Sequence, residues 1–113
     1  MASDVSIEEL DRARIVGAPL VDVRESDEYA EGHVPGAQLM PLGIVPARLH
    51  ELPNNEPLYV ICASGGRSAQ AAELLQKAGL DARSVAGGTT AWIRSGRPVD
   101  IGGPRNEQEE AQT

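Results

Sequence analysis

The stretch VICASGGRSAQ, residues 60–70, decides the fold. An apolar run ends at Cys62, the only cysteine in the chain, and small residues lead from it to Arg67 and Ser68. This order is typical of a buried strand, a glycine loop and the start of a helix. Because loops lie at protein surfaces, we expect the thiol to be exposed, and its position favours a reactive cysteine over a small buried core residue.

Apolar runs on both sides of this stretch predict three further strands. The four predicted strands lie in the segments PLVDVRE, AQLMP, LYVI and ARSVA. Strands that alternate with helices indicate an α/β fold with a mostly parallel sheet and helices on both faces. Ligands of such sheets gather at the carboxyl ends of the strands, which is where Cys62 lies.

Helix signals fill the intervals between these strands. Ser6 and Glu9 have the spacing of a capping box, and the helix they open runs to about Arg14. Further helices are predicted from Ser26 to Gly32, at 42–52, at 67–78 and after a cap at Thr89 or Thr90. In the helix at 67–78, one predicted apolar face consists of Ala71, Leu74, Leu75 and Ala78.

The composition excludes several classes of function. The chain has 113 residues, which fits one domain, and a net charge of -7. Because the chain is acidic and has no basic clusters, we expect no nucleic-acid partner. No apolar run is long enough to span a membrane, so we expect no membrane partner. One cysteine excludes an internal disulfide and a cysteine-based metal cluster within one chain. We therefore expect a cytoplasmic protein without a metal or other cofactor.

The loop after Cys62 has the composition of an anion cradle. Small residues allow successive backbone N–H groups to point inward, and the following helix adds its unpaired N–H groups and its dipole. Gly65 and Gly66 favour such a turn because they accept backbone angles that other residues resist. A thiolate is stabilised in this environment, so we expect the pKa of Cys62 to lie below that of an ordinary thiol.

Three motifs in order resemble the rhodanese-like family of single-domain sulfurtransferases. LVDVRESDEYAEGHVPGA, residues 20–37, resembles the segment that follows the first strand of the family, and CASGGRS, residues 62–68, resembles its active-site loop. LLQKAGLDARSVAGGTTAW, residues 74–92, resembles the closing helix, strand and helix. The resemblance implies a rhodanese-like three-layer fold over residues 1–100. The polar composition of residues 101–113 predicts a disordered tail.

The resemblance also implies a mechanism. Cys62 matches the nucleophile, which takes a sulfane sulfur from thiosulfate or a persulfide donor and holds it as a persulfide. A thiol, on a small molecule or a protein, or cyanide then accepts the sulfur. The substrate-binding cradle corresponds to Ala63, Ser64, Gly65, Gly66, Arg67 and Ser68.

Loop length and loop charge refine this expectation. Phosphatases that share the fold have a cysteine-to-arginine loop one residue longer, whereas the six residues from Cys62 to Arg67 match the sulfur-handling length. Many thiosulfate-active members carry a basic residue just after the cysteine, where this chain has Ala63 and Ser64. That difference disfavours thiosulfate, a dianion, as an efficient donor for an acidic protein.

Three charged residues near the loop have two open interpretations each. Asp22 and Arg24 follow a predicted strand and are interpreted as supporting residues. Either they belong to an ion pair near the loop, in which Arg24 pairs with Glu28 or another carboxylate, or they contact substrate. Arg67 either neutralises Asp22 or lies over the pocket.

Other residues with chemical potential are given structural interpretations. We expect Ser68 to be a helix cap or a hydroxyl donor to the cradle, and His33 to make a turn hydrogen bond. Trp92 is a core anchor for the last helix, and His50 is a solvated helix residue. The acidic run Glu25, Asp27, Glu28 and Glu31 is the exposed face of a short helix.

Competing functions remain open alongside sulfur transfer. A persulfide carrier or interaction module would hold sulfur on Cys62 with little small-molecule turnover. A phosphatase is disfavoured by loop length, and an arsenate reductase that resolves through an internal disulfide is disfavoured by the single cysteine. A purely regulatory domain of the family commonly lacks the cysteine.

Overall fold

The computed structural model describes residues 3–103, which form a parallel sheet between helices. The strands are β1 (Ser3–Val5), β2 (Leu20–Asp22), β3 (Gln38–Leu39), β4 (Leu58–Ile61) and β5 (Ala82–Val85). The helices are α1 (Ile7–Ile15), α2 (Ser26–Glu31), α3 (Val45–Arg48), α4 (Gly66–Lys77) and α5 (Gly88–Arg94). Single 3₁₀ turns, Leu42–Ile44 and Leu49–Glu51, flank α3.

The five strands lie in the order β1-β5-β4-β2-β3, and every adjacent pair is parallel. Asp22, the last residue of β2, lies beside Ile61, the last residue of β4. The residues that follow β2 and β4 therefore meet at the same edge of the sheet. This confirms the predicted α/β class and places Cys62 at the carboxyl end of the central strand.

Two apolar clusters cover the two faces of the sheet, and β4 divides its side chains between them. Leu58 and Val60 belong to the cluster under α3 and α4, while Tyr59 and Ile61 belong to the cluster that includes residues of α1, α2 and α5. All four residues are buried. A strand covered on both faces needs a continuous apolar run, which is why LYVI lacks polar alternation.

The prediction of four strands was wrong by one, because it missed β1. This strand has only three residues, and it pairs with β5 through Val5 and its neighbours. Val5 is the only aliphatic residue in it, so no periodic pattern distinguishes it from a loop.

Helix starts agree with the sequence for α1 and α2 and differ for α5. Ser6 caps α1, and its hydroxyl accepts from the Glu9 N–H at 3.1 Å. Helix α2 begins at Ser26 as predicted. The predicted cap of the last helix at Thr89 or Thr90 was wrong, since Gly87 is the cap residue and Thr89 lies inside α5.

The apolar face of α4 also differs from the prediction. Ala71 and Leu75 are buried against the sheet and Leu74 is half-buried, but Ala78 is exposed because it lies just after the last helical residue. Ala72 completes the face in its place. The tail predicted at 101–113 falls outside the described residues from position 104 onward.

The last described residues pack against α2. Asp100 forms an antiparallel bridge with His33, and the Gly102 N–H donates to the Ala30 carbonyl at 2.8 Å. Among residues 3–103, no helix combines the length and apolar character needed to cross a bilayer.

Candidate active site

Cys62 follows β4 directly, and the loop from Ala63 to Gly65 joins it to α4. Gly65 is the cap residue of α4 and takes φ of +120°, a backbone conformation that side-chain-bearing residues rarely adopt. With this conformation, the Gly65 N–H donates to Cys62 Sγ at 3.1 Å. The glycine thus closes the loop around the sulfur.

The sulfur has a second close contact from α4. Cys62 Sγ lies 3.5 Å from Ser68 Oγ, and the thiol proton donates to that oxygen. Ser68 is fully buried and is the third residue of α4, so it is not the helix cap. The alternative interpretation of Ser68, a hydroxyl donor to the cradle, agrees with the hydrogen bond that its Oγ donates to the Gly65 carbonyl at 3.1 Å.

Opposing effects set the ionisation of Cys62. Burial alone raises the pKa of the thiol, because a charged sulfur loses its hydration. The Ser68 hydroxyl and the backbone N–H groups of Ser68, Gly65 and Ser64 outweigh this effect, and the pKa of Cys62 lies below its ordinary value. The predicted direction of the pKa shift agrees with these contacts.

The expectation of an exposed thiol was wrong. Cys62 is only 1% exposed, whereas Ser64 and Gly66 at the top of the loop are exposed. The loop turns back over the end of β4, so that the sulfur forms the floor of the cradle and the backbone forms its rim. Attack on a substrate therefore requires the substrate to enter the loop, or the loop to open.

Helix α5 donates two backbone hydrogen bonds to the carbonyls of Cys62 and Ala63, and the sequence analysis did not predict this contact. The Thr89 N–H donates to the Cys62 carbonyl at 2.8 Å, and the Thr90 N–H donates to the Ala63 carbonyl at 3.0 Å. Gly88 makes this approach possible, since a Cβ atom there would lie 2.5 Å from the Cys62 oxygen. The Gly-Gly pair before Trp92 was the available sequence signal.

Asp22 and Arg24 form a buried ion pair with each other. Arg24 Nη2 lies 2.8 Å from Asp22 Oδ2, and Arg24 Nε lies 3.0 Å from Asp22 Oδ1. Arg24 Nη2 also donates to the Gly32 carbonyl at 2.9 Å. The predicted ion pair exists, but its carboxylate is Asp22 and not Glu28. It ties the end of β2 to the end of α2.

Arg67 pairs with Glu28, so the predicted pairing with Asp22 was wrong. Arg67 Nη1 lies 2.7 Å from Glu28 Oε1, and Arg67 Nη2 lies 2.9 Å from Glu28 Oε2. Glu28 is therefore half-buried, unlike the exposed neighbours Glu25 and Asp27 in the same acidic run. The pair connects α2 to the first turn of α4.

A second hydroxyl below the sulfur was also missed. Ser84 on β5 is 1% exposed, and its Oγ lies 2.7 Å from Ser68 Oγ. The only sequence signal is that Ser84 is a polar residue in a strand that also contains the buried apolar residues Ala82 and Val85.

The histidines and the tryptophan take structural positions. His33 Nδ1 lies 2.8 Å from the Tyr29 carbonyl, and the two rings stack with centroids 3.6 Å apart. Trp92 is fully buried and donates from Nε1 to the Pro98 carbonyl. His50 is exposed in a 3₁₀ turn. These placements agree with the interpretations of His33, Trp92 and His50 made from the sequence.

Comparison with known proteins identifies the family. The family model described as Rhodanese-like domain matches residues 6–95. The chain belongs to the rhodanese-like family. A protein of Allochromatium vinosum named sulfurtransferase is 37% identical over 81 residues, which cover 71% of this chain and 76% of that protein. The rhodanese-like family and this relative support sulfur transfer as the general activity.

Solved structures of rhodanese-like proteins share the fold. A rhodanese-related protein from Thermoplasma volcanium has a TM-score of 0.82 and 31% identity, with coverage of 88% of this chain and 98% of that one. The human single-domain sulfurtransferase TSTD1 has a TM-score of 0.75 and 31% identity, and the alignment covers 83% of this chain and 97% of that one.

Proposed function

We propose that this rhodanese-like protein transfers sulfane sulfur through a persulfide on Cys62. The observation that carries the proposal is the sulfur cradle, in which the Gly65 N–H at 3.1 Å and the Ser68 hydroxyl at 3.5 Å reach Cys62 Sγ. Donors directed at a sulfur stabilise a thiolate, which is the nucleophilic form. The lowered pKa of Cys62 is consistent with this role.

The first half-reaction moves one sulfur atom onto the enzyme. The Cys62 thiolate attacks the sulfane sulfur of the donor, a new S–S bond forms, and the old bond to that sulfur breaks with its electron pair. A thiosulfate donor leaves as sulfite, and a persulfide donor leaves as a thiolate. The negative charge passes to the terminal sulfur of the Cys62 persulfide, to which backbone N–H groups of the cradle can donate hydrogen bonds.

The second half-reaction restores the enzyme. A thiolate or cyanide acceptor attacks the terminal sulfur, and the S–S bond to Cys62 breaks so that the Cys62 thiolate forms again. The acceptor leaves as a persulfide or as thiocyanate. Because the enzyme is modified between the two substrates, ping-pong kinetics are expected. No cofactor and no second cysteine take part in this cycle.

The charges around the cradle favour a persulfide donor of low charge over thiosulfate. Both arginines at the site are already neutralised, Arg24 by Asp22 and Arg67 by Glu28. Ala63 and Ser64 add no positive charge to the loop. The exposed carboxylates nearby are Glu25 at the cap of α2 and Asp27 and Glu31 on that helix. A dianion that approaches this surface meets a negative potential.

Thiocyanate formation tests the proposal. The protein is incubated with cyanide and either thiosulfate or cysteine persulfide, with Cys62→Ser as the control, and intact mass is measured after donor alone. We expect turnover that Cys62→Ser abolishes and an added mass of about 32 Da on the wild-type chain alone. Turnover equal to that of Cys62→Ser with both donors would show that the protein is not this enzyme.

Burial of the sulfur supports a second candidate, a persulfide carrier. Cys62 is 1% exposed, so small molecules in solution have restricted access unless the loop opens. A protein partner that docks on the loop could supply or remove the sulfur. This candidate predicts the same added mass on Cys62 without thiocyanate turnover above the Cys62→Ser control.

We also propose a reducing, cytoplasmic location for the protein. The only thiol in the chain is the proposed nucleophile, and oxidation would block it. The partners proposed are a sulfur donor and a thiol acceptor, with no role for nucleic acid or a membrane.

A further inference from the structure

A pair of buried hydroxyls lies beneath Cys62. Ser68 on α4 and Ser84 on β5 are 0% and 1% exposed, and their Oγ atoms are 2.7 Å apart. In the register of the sheet, Ser84 lies beside Val60, the residue of β4 that precedes Cys62 by two positions. Buried hydroxyls need protein hydrogen-bond partners because water does not supply them, and this pair satisfies both groups.

The other hydrogen-bond partners of Ser68 favour one direction for the bond between the serines. Ser68 has one hydroxyl proton but three neighbours, Cys62 Sγ at 3.5 Å, the Gly65 carbonyl at 3.1 Å and Ser84 Oγ. With a neutral thiol, Cys62 donates to Ser68 Oγ, and the Ser68 proton goes to the Gly65 carbonyl. With a thiolate, the sulfur needs that proton. Neither state leaves a Ser68 proton for Ser84, so Ser84 is the donor.

When Cys62 ionises, the only change required within this hydroxyl chain is a rotation of the Ser68 hydroxyl. The thiol proton passes to solvent when the loop opens, and the Ser68 O–H turns from the Gly65 carbonyl to the sulfur. The Gly65 carbonyl keeps a partner, because the Ala69 N–H donates to it at 3.1 Å. The Ser84 O–H continues to donate to Ser68 Oγ, and a donated hydrogen bond polarises the next one in the chain.

We propose that Ser84 is a positioning residue that holds the Ser68 hydroxyl in the orientation that stabilises an anionic Cys62 sulfur. The inference rests on the proposed nucleophilic role of Cys62 and adds a residue from a different strand to the site. Ser84 does not touch the sulfur in the described contacts, so its effect passes through Ser68. Substitution at Ser84 should change the ionisation of Cys62 more than it changes the fold.

Charged groups on the elements around the loop also act on the sulfur, but Ser84 substitutions leave them in place. The charged side chains on these elements are Asp22 at the end of β2, Arg24 after it, Asp27, Glu28 and Glu31 on α2, Arg67, Glu73 and Lys77 on α4, Arg83 on β5 and Arg94 on α5. Two of them, Asp22 and Glu28, are paired with the nearby arginines. A change in the titration of Cys62 in a Ser84 variant therefore reports the hydroxyl chain.

Titration of the thiolate tests the proposal in the full-length chain. The ultraviolet absorbance of the thiolate is followed against pH for wild type, Ser84→Ala and the matched pair Ser84→Thr and Ser84→Val. Threonine and valine have the same shape, but only threonine can donate. Alkylation rates are measured in parallel. Val34→Ala is the control for a small loss of buried volume, because Val34 is fully buried in the apolar cluster on the opposite face of the sheet from Cys62.

We expect the midpoint to move to higher pH in Ser84→Ala and Ser84→Val but not in Ser84→Thr or Val34→Ala. Below the wild-type midpoint, alkylation of Ser84→Ala should slow by roughly two- to fivefold. In a Ser68→Ala background, Ser84→Ala should have no further effect, because the connection to the sulfur is already lost.

Two results would overturn the proposal. One is an unchanged midpoint in whichever of Ser84→Ala and Ser84→Val folds, and the other is an equal shift in Ser84→Thr and Ser84→Val. Failure of the sulfur-transfer function is distinguishable, because wild-type protein would then produce no thiocyanate while the titration of the variants still reported the role of Ser84.

Discussion

The Arg67 guanidinium and the Glu28 carboxylate form a two-pronged ion pair that joins the start of helix α4, directly after the Cys62 loop, to helix α2. The two bonds are 2.7 and 2.9 Å long and connect residues 39 positions apart in the sequence. The hydrogen bond from Arg67 is the main cause that lowers the pKa of Glu28 to about 2, and the Glu25 N–H contributes as well. The carboxylate also neutralises Arg67, the arginine in the first turn of α4 directly after the loop, which bears on the choice of donor.

Removal of the Glu28 charge should increase the use of thiosulfate. In Glu28→Gln the amide keeps a similar size, but Arg67 is no longer neutralised and can attract a dianion. We expect kcat/KM for thiosulfate to rise by roughly three- to tenfold, and the value for cysteine persulfide to change less. The rise should shrink at high ionic strength.

Glu51→Gln is the matched control for this change. Glu51 also forms a two-pronged pair with an arginine, Arg48, but on 3₁₀ and helical turns outside the loop. The net charge of the chain changes equally in the two variants. An equal rise in both, or no rise in Glu28→Gln, would contradict the role of Glu28 in donor choice.

The same carboxylate should make stability depend on pH in the acid range. The pKa of Glu28 is about 2 in the folded protein and 4.5 in its ordinary state. Since the folded value is the lower one, the ion pair stabilises the fold above about pH 4.5, and this stabilisation is lost as the pH falls toward 2. Both side chains are about one third exposed, so solvent screening limits the effect to roughly 1 kcal/mol.

Urea unfolding from about pH 7 to about pH 3 measures this contribution. The difference in free energy of unfolding between wild type and Glu28→Gln should be largest at neutral pH and should shrink as the medium becomes acidic. Glu31→Gln, on the same helix, removes a carboxylate that has no salt bridge within residues 3–103. A Glu28→Gln difference that stays constant across this range would show that the ion pair does not carry the stabilisation.

The fold was largely predictable because its central strands have strong local patterns. LYVI is buried on both faces and was found from its continuous apolar run. The glycine loop after it marked the end of the strand and the start of the next helix. Strand β1 was not predictable, because three residues with one aliphatic side chain acquire their conformation from pairing with β5. Its partner is about 80 residues away in the sequence, beyond the reach of any local pattern.

The site was predictable in position but not in its partners. Cys62 was identified from the order of strand, glycine loop and helix. Its burial and the hydrogen bond from α5 to its carbonyl follow from the three-dimensional packing, which no local pattern showed. The arginine partners were left open, Glu28 or another carboxylate for Arg24 and Asp22 or the pocket for Arg67, because several carboxylates lie within reach. Only the three-dimensional arrangement selects Asp22 for Arg24 and Glu28 for Arg67.

Substitution of Gly88 should damage the loop more than substitution of a comparable glycine elsewhere. Gly88 has φ of +59°, and a Cβ atom would lie 2.5 Å from the Cys62 oxygen and 2.6 Å from the Ala63 oxygen, both backbone atoms. Gly88→Ala should therefore lower the free energy of unfolding by at least about 2 kcal/mol and reduce thiocyanate formation in the fraction that remains folded.

Gly17→Ala is the control that separates backbone strain from steric collision, because Gly17 has φ of +87° with nothing within 4 Å of a Cβ position. Gly17→Ala should cost about 1 kcal/mol without loss of activity, and equal effects of the two variants on stability and turnover would rule out the close contact at Gly88 as the support of the loop.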